Sequence, residues 1–231
     1  MKKTPALLPL TLALALSACG PQPAPVAEPP PATEPAAVAT PTAADQTADW
    51  KLYQNADFGL SFRVPAGWFG PEEYVSDRML RVEIGSDNVY PYGTDPLERV
   101  TQFKDSYYVL IQYSQNDQGA YWQETYQSLV QLQDGESLSD LRSKIIRVRP
   151  LELGRFSGFE YISTLSDTAQ TEPVYGRQVI LVDDQSNVLT ILGNPSGVEI
   201  ASGGDWRQAY QAVDEANLLL FRQILDSITI Q

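Results

Sequence analysis

From Phe58 onward the chain alternates between apolar and polar positions. Leu60, Phe62 and Val64 fall on one side of an extended segment and Ser61 and Arg63 on the other, until Pro65-Ala66-Gly67 ends it with turn chemistry. Met79 to Ile84 repeats the pattern, setting Leu80, Val82 and Ile84 against Arg81 and Glu83. Tyr107–Tyr113, Lys144–Leu153, Phe156–Thr164, Val174–Val182 and Val188–Leu192 are rich in β-branched and aromatic residues and are predicted as further strands. Asp183-Asp184-Gln185-Ser186-Asn187 separates the last two and predicts a hairpin loop.

Two segments have helical spacing instead. Tyr121–Leu132 carries Trp122, Tyr126, Leu129 and Val130 on one stripe, and Trp206–Leu225 carries Trp206, Tyr210, Val213, Asn217, Leu220, Phe221 and Ile224. Asp226-Ser227 ends the second helix, and Ile228-Thr229-Ile230 has strand character. An apolar stripe needs a surface to cover, so the economical arrangement is an α+β domain, an antiparallel sheet with helices packed on it.

The N-terminal region follows a different logic. Lys2 and Lys3 precede an apolar run from Leu7 to Leu16, and Leu16-Ser17-Ala18-Cys19 closes it. The run is about half the length that spans hydrocarbon, which favours an export signal over a membrane anchor. A cysteine directly after small residues at the cut is the acceptor for diacylglycerol. Residues 1–18 are therefore expected to be a lipoprotein signal peptide, with Cys19 the lipidation site that attaches the mature chain to a bilayer. This puts the protein in the cell envelope, lipid-anchored to the outer face of the plasma membrane or to the outer membrane. Cys19 is also the only cysteine, so the rest of the chain has no disulfide, thiol nucleophile or thiolate metal site.

Residues 19–48 are rich in Pro and Ala, with eight prolines from Gly20 to Ala48 and almost no large apolar side chains. Such a segment cannot bury enough surface to offset the entropy of ordering and reads as a disordered tether, extended at about 3 Å per residue where it is polyproline-like. A PxxP ligand role is the alternative to a plain spacer. All four tryptophans, twelve tyrosines and seven phenylalanines fall within 49–231, which is the expected folded domain.

Charge narrows the partners. The chain carries 29 acidic and 16 basic residues, a net charge of −13, and such a field disfavours nucleic acid. Against it stands one basic cluster, Arg142, Lys144, Arg147, Arg149 and Arg155. On a regular strand Arg147 and Arg149 would share a face with Ile145 and Leu151, leaving Ile146 and Val148 on the other. The cluster is either a partner-binding patch or a row paired with acidic neighbours on adjacent strands.

The chain contains no histidine. Ser-His-Asp and Cys-His mechanisms and zinc sites of the His or Cys type are excluded within it, and no phosphate-binding glycine loop or nucleophile elbow is present. Ser143 and Lys144 are adjacent and make a poor dyad. Glu72, Glu73, Glu83 and Glu160 have the chemistry for an acid/base pair, although nothing in their spacing brings them together. Asp183 and Asp184, with Ser186 and Asn187, offer oxygen ligands that suit calcium but lack the EF-hand spacing. No cofactor is implied. Asn88 to Pro96 holds Tyr90 and Tyr92 between turn formers, a pattern that suits recognition of peptides or sugars and equally the closing of a core edge.

Tyr53-Gln54-Asn55, Phe58-Gly59-Leu60-Ser61-Phe62, Pro65 and Gly67-Trp68 resemble the opening of PsbP-like domains. Phe221 to Ile228, running out of the long helix, is similar to that family's closing helix and final strand. The resemblance covers both ends of 49–231 and rests on structural positions, Phe62 and Trp68 being expected in the core. It implies an α-β-α sandwich around an antiparallel sheet, a fold shared by the extrinsic PsbP subunit of photosystem II and a Ran-binding nuclear-import factor, and it implies no catalytic apparatus. The expected function is that of a non-catalytic, membrane-anchored module that binds a protein partner or assists assembly of an envelope complex. The alternative is a carboxylate- or calcium-dependent ligand-binding protein or hydrolase of the envelope.

Overall fold

The computed structural model describes residues 47–86, 104–132, 135–139, 143–165 and 173–231. The expected signal peptide, Cys19, nearly all of the expected tether, Arg142, Tyr90 and Tyr92 lie outside the described residues. The order is β1 (Lys51–Asn55), β2 (Leu60–Val64), β3 (Phe69–Ser76), β4 (Met79–Gly85), β5 (Ser106–Ser114), α1 (Ala120–Val130), β6 (Leu138–Ser139), β7 (Ser143–Leu153), β8 (Phe156–Leu165), β9 (Tyr175–Val182), β10 (Val188–Ser196), α2 (Trp206–Asp226) and β11 (Thr229–Ile230). This is an α+β fold, in which an eight-stranded antiparallel sheet ordered β3-β4-β5-β10-β9-β8-β7-β6 stands beside a three-stranded sheet ordered β1-β2-β11.

Alternation along the central strands determines what covers the large sheet. Val179 and Leu181 of β9 join Val82, Ile111 and Leu189 in a cluster with Phe62 of β2 and Phe221, Ile224 and Leu225 of α2. Ile180, between them, turns to the opposite face. There it meets Tyr161, Val148 and Val188 beneath Trp122 and Leu129 of α1. Phe62 is fully buried, and Trp68 packs partly buried against the larger cluster.

Helix ends follow their local chemistry. The Asp205 side chain accepts from Arg207 N at 2.9 Å and caps α2, and Ser227 closes it as expected from Asp226-Ser227. Helix α1 begins at Gly119 without a side-chain cap and has no acid in its first turn, so its hold on the sheet comes from the residues it buries. Upstream of β1, Thr47 and Trp50 are buried in a turn whose carbonyls face Arg63 Nη1 at 3.4 Å. The packed chain therefore includes Thr47, two residues before Asp49.

The strand over Lys144–Leu153 exists, but its faces are not those of a regular strand. Ile146 pairs with Ile162 and Arg149 with Glu160, so β7 advances three residues while β8 advances two. Arg147 takes up the extra residue at φ 56°, a β-bulge that inverts side-chain parity. Ile145 and Val148 consequently belong to the α1 side, while Arg149 and Leu151 face the α2 side with Ile146. Strands β1, β3 and β6 escaped the sequence pattern because three of the five β1 side chains, five of the eight in β3 and both in β6 are exposed. Alternation cannot register on such a strand.

Candidate functional site

Two constellations gather polar chemistry. The first is buried at the sheet–α2 boundary. Arg177 of β9, 4% exposed, donates through Nε to Asp214 Oδ1 at 3.1 Å and through Nη2 to Asp214 Oδ2 at 2.5 Å. Its Nη1 donates to Glu160 Oε1 at 2.5 Å, and Arg149 holds the other oxygen of Glu160, with Nε at 3.0 Å. Burial opposes the charge on Arg177, yet the hydrogen bonds and charges of Asp214 and Glu160 outweigh it and raise its pKa further. Tyr107 Oη also donates to Asp214 Oδ1, at 3.1 Å. Burial pushes the Tyr107 phenol well above its ordinary value, with the Asp214 charge acting in the same sense. Gly193 admits this contact, since a Cβ there would stand 2.2 Å from Tyr107 Oη and 2.8 Å from the Phe221 ring.

Two arginines and two carboxylates thus neutralise one another, with no carboxylate oxygen of the pair left unpaired by a protein donor. Of the residues with acid/base chemistry, Glu160 belongs to this network. Glu83 takes the Arg81 guanidinium, with Nε at 2.9 Å, and faces Glu72 across β3–β4. Glu73 accepts from the Tyr53 hydroxyl.

The basic cluster divides. Arg149 turns inward to Glu160, which is 1% exposed. Arg147 leaves the bulge to meet Glu215 of α2 at 3.0 Å, and Arg155 meets Asp183 at 2.9 Å. Lys144 lies half-buried near the start of β7, opposite Thr164 of β8. The Asp183 carboxylate also accepts from the backbone of Gln185 and Asn187 at 2.9 Å and from Asn187 Nδ2 at 2.7 Å. Burial alone would raise its pKa, but these bonds and Arg155 lower it. Asp184 is exposed beside it. Among the described residues no group of three or more His, Cys, Asp or Glu side chains is arranged to hold a metal ion.

The second constellation is a groove of about 810 Å³ between α1 and the ends of β8 and β9. Gln123, Tyr126 and Gln127 come from the helix and Gln131 from its C-cap, Ser157 and Val182 from the strands, and Arg155, Asp183 and Asp184 from the adjoining turns. The Tyr126 ring is held edge-on by Trp122, with centroids 6.3 Å apart, and by Phe159 at 5.6 Å, and its hydroxyl reaches Ser157 O at 3.5 Å. Trp122 also lines a smaller cavity of about 310 Å³ on the other side of α1. Its buried indole N–H has no acceptor.

Sequence reading missed Arg177, Asp214 and the glutamine row. The signals were Arg177 inside the predicted strand Val174–Val182, Asp214 four residues after Tyr210 and seven before Phe221, and Gln123, Gln127 and Gln131 at four-residue spacing. Among the described residues no helix is long and apolar enough to cross a membrane. The chain matches no protein-family model and no curated protein.

Proposed function

We propose that the protein is an extracytoplasmic lipoprotein, anchored through Cys19, whose PsbP-like α-β-α module binds an envelope protein and assists assembly of a membrane complex without catalysis. The observation that carries this reading is how the acidic groups are engaged. Glu160 and Asp214 are locked to arginines inside the fold, and Asp183 is occupied by its own hairpin loop and Arg155. The open groove beside α1 offers amides and aromatic rings, which suit recognition. The two segments similar to PsbP-like domains also meet, since β11 pairs with β2 and Arg63 N donates to Ser227 Oγ at 2.9 Å. This contact supports a shared architecture for the ends of the chain.

The test is cross-linking of the full lipoprotein in its own envelope, followed by affinity capture. The same membrane protein is expected with wild type and is expected to be lost with Cys19→Ser, which also abolishes labelled-palmitate incorporation. Absence of any reproducible partner would overturn the assembly role, and unchanged lipid labelling in the variant would overturn the anchor.

A further inference from the structure

We propose that the groove between α1 and the β8–β9 end of the sheet binds a neutral oligosaccharide, with Gln123, Gln127 and Gln131 as a hydrogen-bonding rail and Tyr126 as a stacking wall. The proposal deepens the reading of the protein as a binding module and names a ligand class for one of its surfaces.

The rail is the first argument. Residues four apart on a helix lie one above another, about 6 Å apart along the axis, so the three glutamines form a line along one rim of the groove. A carboxamide presents a carbonyl acceptor beside an NH₂ donor. That pair matches neighbouring sugar hydroxyls, which both accept and donate. Among the described residues no hydrogen bond or ion pair engages these three side-chain amides, and a linear ligand with repeated hydroxyls would meet one after another.

Charge is the second argument. Arg155 and Asp183 neutralise each other at the end of the groove, at 2.9 Å, which leaves exposed Asp184 as an uncompensated acid on the rim. An anionic ligand would be repelled there, and no surplus cation is present to attract one. A ligand rich in hydroxyl and amide groups but without net charge fits this balance.

The third argument is the aromatic wall. Tyr126 remains partly open while Trp122, Phe159 and Ser157 O fix its ring and hydroxyl, so little is lost in ordering it when a ligand stacks. Trp122 lines the groove beside it, and its indole N–H is buried without an acceptor, an uncommon condition in a folded chain. An oxygen entering between α1 and the sheet would satisfy it. The cavity, about 810 Å³, is of ligand-site size. A peptide fits less well. Strand β8 is paired on both sides, to β7 and β9, so there is no sheet edge here to extend, and the free polar atoms are side-chain amides at helical spacing.

The test is titration of the full chain, in detergent micelles, with the neutral N-acetylglucosamine tetramer chitotetraose. Binding is followed by calorimetry and by the ¹⁵N-indole resonances, with that of Trp122 assigned through Trp122→Phe. Binding heat is expected together with a shift of the Trp122 resonance and none of Trp206. Gln127→Ala and Tyr126→Ala should each weaken binding about three- to tenfold, the cost of a lost hydrogen bond or stacking contact. Gln54→Ala, on β1 away from the groove, should leave it unchanged. Gln127 is exposed, so its variant is expected to keep the fold and the test does not hinge on Tyr126. No heat and no shift at millimolar sugar would overturn the proposal, as would equal weakening by Gln54→Ala. A proline-rich peptide that shifts the Trp122 resonance while chitotetraose does not would overturn the ligand class and leave the module reading intact. Loss of the captured membrane protein in the cross-linking experiment would strike that reading alone.

Discussion

At the scale of single residues, the largest energies sit where charge is buried. Asp214 is fully buried and holds the Arg177 guanidinium through two oxygens. Asp214→Ala leaves Arg177 with only Glu160, an acid already shared with Arg149. Removing one member of such a pair costs about 3–5 kcal/mol, and denaturant unfolding should show that loss. A change below about 1 kcal/mol would mean that water reaches the guanidinium. Asp183 gives a prediction in pH. Its folded pKa lies below the ordinary carboxyl value of 3.8, so its contribution is present above that value and disappears as pH falls through the folded pKa. Acid unfolding followed by the exchange of the Asn187 amide should show the hairpin loop loosening in that range, and Asp183→Asn should remove the dependence. Both residues were visible in the sequence as acids. Their partners were not, because Arg177 lies 37 positions from Asp214 and Arg155 lies 28 from Asp183.

At the scale of elements, the bulge in β7 decides more than any strand boundary. Arg147 adopts φ 56°, a left-handed conformation that costs a non-glycine residue about 1–2 kcal/mol. In return its guanidinium meets exposed Glu215 at 3.0 Å, a surface pair that solvent screens and that contributes little. Arg147→Gly should therefore be neutral or stabilising by up to about 1 kcal/mol. Arg147→Val should destabilise by about 1–2 kcal/mol, because a β-branched residue resists that region. Thermal unfolding of the two variants separates these outcomes, and a more stable Val variant would mean that the bulge is not held at this residue. Strands β2 and β4 and both helices were legible from period, and β5, β8, β9 and β10 from their β-branched and aromatic residues. The inverted face of β7 was illegible because a bulge depends on the partner strand, which sequence period does not report. The glutamine row on α1 was legible as spacing, but the groove beside it exists only because the hairpin ends of β8 and β9 stand opposite.

At the scale of the whole molecule, the sheet and its two helices close over tyrosines as well as apolar side chains. Burial raises the phenols of Tyr107 and Tyr175 above the ordinary 10.0 and pushes Tyr161 up to about 12. A raised phenol pKa favours the neutral form in the fold, so the contribution is complete below the unfolded value and is lost as pH rises toward the folded values. Tyrosinate absorbance is expected to rise in two stages, exposed phenols first and the buried ones, with Tyr53 and Tyr113 beside these three, only with loss of the fold; a single early stage would show the buried phenols to be wet. The same burial explains the division of information in this protein. Sequence alone determined most of the strands, both helices and the α+β class, because period-two and helical spacing are local consequences of burying one face. The pairing of Arg177 with Asp214, the parity of β7 and the groove beside α1 were decided only in the tertiary structure. Each requires residues distant along the chain to share one place, and no local pattern specifies which distant partner that will be.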